Sequence, residues 1–182
     1  MKFYPIASAL KRISGLTWLW AGFLIVSATF MRQVLNLLLS LIGEQGVRSL
    51  VWTAFLLPGL FIISSVWRRG GMVRSARLSG LLLLGALYAL SLEISEERIH
   101  LVKYGILGWL IGRDLFDMAK NCILLLALAG GALVACADES LQSFLPYRVG
   151  DPRDVLFGII GAVWGAALFR LYLTPSRGGW RG

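Results

Sequence analysis

The chain has 182 residues, 57% of them hydrophobic and 15% charged, with a formal net charge of +8 and a mean hydropathy of +0.73. The apolar residues fall in blocks rather than in a two- or 3.6-residue alternation, which excludes an ordinary soluble domain and predicts an all-α, polytopic transmembrane helical bundle. Its basic residues sit in short segments between those blocks, so the positive charge points to an anionic membrane surface and not to nucleic acid.

In chain order, blocks at 13–30, 49–67, 78–94, 121–137 and 155–173 are each long enough to span a bilayer as a helix. A further block at 99–116 carries His100 and Lys103 near its start and Arg113 and Asp114 near its end, around an apolar middle; it reads as a span whose charged ends snorkel towards water. That makes about six spans. The first follows Lys2, Lys11 and Arg12 with no small-residue cleavage site behind it, and reads as a signal anchor. Between the first two spans, Gln33, Asn36, Ser40 and Glu44 recur at helical steps in an otherwise apolar stretch, which suits an interfacial helix over 31–46 or a long tilted extension of span one. Pro58 is expected to kink the second span. Residues 1–77 form an N-terminal two-span segment and 78–182 a four-span core.

Orientation follows from the basic residues. With the N-terminus inside, the inner segments hold Lys2, Lys11, Arg12, Arg68, Arg69, Arg74, Arg77, Arg113, Lys120, Arg170, Arg177 and Arg181 against Asp114 and Asp117. The outer segments hold Arg32, Arg48, Arg98, Arg148 and Arg153 against a larger number of acids, so both termini are expected in the cytoplasm and the protein in a bacterial plasma membrane. Cys122 and Cys136 are too far apart along one helix to pair and read as packing residues. Gly108 with Gly112, and Gly161 with Gly165 beside Ala162 and Ala166, are small-residue pairs that let helix backbones approach closely.

The polar residues gather on the outer side. In EISEERIHLVKY, Glu93, Glu96 or Glu97, His100, Lys103 and Tyr104 share a helical face. Asp138, Glu139 and Gln142 fall within one turn at the exit of span five, and Asp154 precedes span six, where the simplest role for it is the N-cap. A lone histidine such as His100 is as often a packing residue as a functional one, although here it stands beside acids. Arg148 lies in the turn FLPYRVGDP, from which it can bridge to Asp138 or Glu139. Because charge inside a bilayer is costly, these groups are expected to converge: His100, Glu139, Gln142 and Arg148 at one depth, with Glu139 meeting Arg148 or His100.

The string DESLQSFLPYRVGDPRDVLFGIIGAVWG, with RIHLVKYGILGWL upstream, resembles the VanZ-like membrane protein family over roughly 78–173. The resemblance implies a ligand-binding site of His100, Tyr104, Asp138, Glu139, Gln142, Arg148 and Asp154, and a setting in the cell envelope, since the family's best-known member confers resistance to teicoplanin. Two positions depart from the family pattern: Gly158 stands where Asn is common, and Glu97, next to Arg98, where Lys is common. They bear on a polar contact between spans four and six.

The leading function is a non-enzymatic protein that binds or helps move a lipid-linked polar headgroup at the outer leaflet, with Arg148 and Arg153 on phosphate and Gln142, Glu139 and Tyr104 on hydroxyls. The alternatives are a membrane enzyme using His100 and Glu139 as acid and base, or with Asp138 and Asp154 as metal ligands, and a structural subunit of a membrane complex or homo-oligomer. No nucleophile motif, phosphate loop or zinc spacing is present, so no metal or cofactor is expected.

Overall fold

The computed structural model describes residues 10–70, 72–92, 95–145 and 151–173. They form the helices α1 (Gly15–Ser27), α2 (Met31–Gly70), α3 (Met72–Ser91), α4 (Ser95–Ala119), α5 (Ile123–Ser143) and α6 (Pro152–Leu173), with no strand among the described residues. Each predicted apolar block maps onto one of them. By length and composition, α2 over Met31–Arg68, α3, α5 and α6 could cross a membrane; α1 is apolar but only 13 residues long. Helix α4 is 25 residues long yet too charged to count among them, and it lies at the centre of the bundle.

The segment over 31–46 does not continue the first helix, and a break at Gly43 sets its first part off from the second span. The chain turns at 28–30, where the Thr29 and Phe30 amides donate to Val26 and Ser27. Helix α2 then runs on to Gly70, broken at Gly43, whose φ of 68° is a conformation only glycine adopts freely. The break is therefore at Gly43, and the helical dihedrals continue through Pro58.

Helices α4 and α6 pack most closely, and they run parallel: Gly161 lies against the Leu101 carbonyl, Gly165 against the Gly105 carbonyl and Gly112 against Phe169, so the numbers rise together. A Cβ on Gly108 would collide with Ala162, and one on Gly165 with Gly105, so backbone meets backbone. Gly105, on which Gly165 rests, is a partner that the paired spacings alone do not reveal. Helix α5 runs antiparallel to both, with Gly130 under Ile111 and Gly131 under Ala162.

The remaining helices are tied on by polar clasps. Asp114 near the end of α4 accepts from the Ser14 amide (2.8 Å) and the Thr17 hydroxyl (2.6 Å), and Arg113 donates to the Ser14 hydroxyl (2.6 Å), closing the start of α1. Higher up, the Trp20 indole donates to the Lys103 carbonyl at 3.0 Å. Helix α3 is held by the Trp164 indole on the Leu81 carbonyl and by Arg74 on the Leu171 carbonyl, both at 2.9 Å. Arg98 caps its last turn through the Ala89 and Leu92 carbonyls. The largest apolar core, built on Leu24, Tyr104, Leu107, Ile111, Ile123, Ala127 and Ala166, lies between α1, α4, α5 and α6. These directions bring the start of α4, the end of α5 and the start of α6 to one end of the bundle.

A buried polar site at one end of the bundle

Asp138 is the centre of that end. It is 1% exposed, and a carboxylate so placed is tolerable only if its oxygens are bonded. Tyr104 on α4 donates its hydroxyl to Oδ2 at 3.0 Å, and Gln142, one turn along α5, donates Nε2 to Oδ1 at 3.2 Å. Tyr104 is itself fully buried, and its ring stacks at 6.0 Å on that of His100, one turn earlier on the same helix face. His100 Nε2 stands 3.9 Å from Asp138 Oδ2. The four-residue steps of both pairs, His100 with Tyr104 and Asp138 with Gln142, put all four side chains into one interface.

Glu139 faces the mouth of this network. Its Oε1 accepts from Gln142 at 3.1 Å and its Oε2 from the Asp151 amide at 2.9 Å, which pins the turn before α6. Asp151, rather than Asp154, caps α6. Its carboxylate accepts from the Arg153 amide at 2.8 Å and its carbonyl from the Asp154 amide at 2.9 Å, with Pro152 as the first helical residue. Proline favours that position because its fixed φ suits the first turn and it has no amide hydrogen to leave unsatisfied. Asp154, in the first turn, instead approaches the site. One ligating atom each of His100, Glu139 and Asp154 lie within 4.8 Å of one another.

Arg153 donates to Glu97 at 2.9 Å, bridging α6 to α4. Glu97 is buried at the position where the family commonly has Lys, so here the polar contact between these two helices is this ion pair. At the second departure a Cβ on Gly158 would stand 3.0 Å from the Ala135 Cβ and 3.2 Å from the Tyr104 ring, so the glycine makes room for the tyrosine that bonds Asp138.

The structure therefore gathers His100, Tyr104, Asp138, Glu139, Gln142 and Asp154. Arg148 and Glu93 lie outside the described residues, as does the expected contact of Arg148 with the acids. Sequence reasoning passed over Arg32 and placed Lys103 only on the shared face. Both line a narrow cleft of about 20 Å³, room for about one water, with Ala28, Met31, Leu35, Ile99, His100 and Gln142. The three-residue step from His100 to Lys103 was the available signal; nothing local points to Arg32.

Residues 97–173, which hold His100, Tyr104, Asp138, Glu139, Gln142 and Asp154, match the model of the VanZ/LLP1 family. This segment is VanZ-like. No curated protein and no solved structure matches the chain. The VanZ-like segment comprises α4, α5 and α6 almost entire, the three helices whose ends build the site, and together with the apolar helices α2 and α3 it marks the chain as a membrane protein. Helices α1, α2 and α3 lie outside the matched segment.

Proposed function

We propose that this VanZ-like protein binds the polar headgroup of a membrane lipid, or of a lipid-linked envelope precursor, at the extracytoplasmic end of its bundle. The observation that carries the reading is the gathering of His100, Glu139, Gln142 and Asp154 from three helices at one end, with Glu139 and Asp154 half-buried at its mouth. Acceptors and donors held in that way can replace the water around a headgroup's hydroxyls and charged groups while its acyl chains remain in lipid. An amphiphile suits the neighbouring surface, where Arg32 and Lys103 stand beside Ala28, Met31, Leu35 and Ile99. A plasma-membrane location and an envelope role belong to the same proposal.

Glu139→Gln tests it. Wild-type protein purified in mild detergent should carry a defined lipid that native mass spectrometry detects, and the variant should lose it while melting within a few degrees of the wild type. A variant that keeps its lipid, or melts far lower and loses everything together, would show that the cluster only braces the helices.

A further inference from the structure

The structure also shows what the three half-exposed and buried donors at the mouth can hold in common. His100 comes from α4, Glu139 from α5 and Asp154 from α6, each contributing one ligating atom to a group no more than 4.8 Å across. We infer that they bind a divalent cation, and that the cation takes up the phosphate of the bound headgroup.

The donor set is an imidazole nitrogen and two carboxylate oxygens, which suits a divalent ion at the harder end of the range rather than a thiophilic one. Metal–ligand bonds of about 2.0–2.6 Å set adjacent ligands about 3 Å apart and opposed ones about 4–5 Å apart. The observed spread fits within that span. Two carboxylates match the charge of the ion, and three protein ligands leave coordination positions open for phosphate oxygens.

Near the histidine stands a carboxylate, of the kind that orients many metal-bound histidines, here beyond direct hydrogen-bond reach. Asp138 Oδ2 lies 3.9 Å from His100 Nε2 and is fixed by Tyr104 and Gln142. Arg32 and Lys103 stand near His100 and Gln142, where their positive charge suits an incoming anion. Asp154 can contribute because Asp151 does the capping of α6. The cation depends on the three side chains alone; its bridging of a phosphate rests on the headgroup reading.

Full-length protein in detergent, stripped with EDTA, should bind one Mn²⁺ per chain in an electron paramagnetic resonance titration, with Ca²⁺, Mg²⁺ and Zn²⁺ as competitors. Affinity should fall at least about tenfold in Glu139→Gln and in Asp154→Asn. It should be unchanged in Asp117→Asn, at the far end of α4. Since a ligand that binds only the folded state raises its melting temperature, Mn²⁺ should stabilise the wild type even if a variant folds poorly. No saturable Mn²⁺ site on the wild type, or unchanged affinity in both carboxylate variants, overturns the cation. Anionic phospholipid retained equally with and without EDTA overturns the bridge and leaves the headgroup reading standing. Mn²⁺ bound at these residues with no phospholipid retained in either condition supports the cation and removes the headgroup.

Discussion

Tyr104 and Asp138 are both buried, and each fills a need of the other: the phenol requires an acceptor and the carboxylate a donor. Tyr104→Phe removes only the hydroxyl, so it should cost about 1–3 kcal/mol, the usual penalty for leaving a buried acceptor short of one partner. Thermal unfolding in detergent would read this as a clear drop in melting temperature, and an unchanged one would mean that water takes the hydroxyl's place. Tyr104 is at the same time the neighbour of Gly158, so Gly158→Asn should disturb the ring and reproduce part of that loss. Restoring the common family residue here is therefore expected to destabilise this chain, because Glu97 with Arg153 already supplies the contact between α4 and α6.

Between elements, the α4–α6 seam is set by glycines without room for a side chain. Gly108→Val and Gly165→Val would each drive a side chain into facing backbone, and both should abolish folding to a monodisperse species on size exclusion. Gly22→Ala and Gly80→Ala meet nothing within 4 Å and, by removing a helix-weakening glycine, should be neutral or stabilising by up to about 1 kcal/mol. The Glu97–Arg153 pair is weaker than the seam, since Arg153 is 65% exposed and the pair is open to water on that side. Glu97→Gln should lose no more than about 1 kcal/mol, and the charge reversal Glu97→Arg with Arg153→Glu should recover most of what either single change loses.

For the molecule as a whole, the site's place at one end makes orientation a functional matter. With Cys122 and Cys136 replaced by Ser, Lys120→Cys should react with an impermeant thiol reagent only from the cytoplasmic side and Ser143→Cys only from the outside. Labelling of both from one side would reverse or break the topology. The bundle itself was legible because apolar blocks of spanning length have few other uses; helical spacing put Tyr104 on the face of His100 and Asp138 in one turn with Gln142, while only the family resemblance joined Tyr104 and Asp138 into one site. Asp154 was assigned to the wrong task because capping is decided by where the helix begins, and Pro152 places that start directly after Asp151. The Asp114 clasp on Ser14 and Thr17 and the Glu97–Arg153 bridge join residues far apart in sequence, and no local periodicity encodes such pairings.

The parallel course of α4 and α6 bears on how the protein is made. Helix α4 holds Glu97 and Lys103 in its buried face and is too charged to count as a span by composition, yet its closest companion, α6, is synthesised after it. A nascent chain must therefore carry α4 through synthesis before α6 is there to shield it, and the hairpin of α4 with α5 is an assembly intermediate rather than a finished piece. A chain stopped at Leu145 should leave α4 only partly inserted, which a glycosylation acceptor placed just before Ser95 would report as mixed modification in microsomes. Restoring α6 on a separate polypeptide should then pull α4 into place.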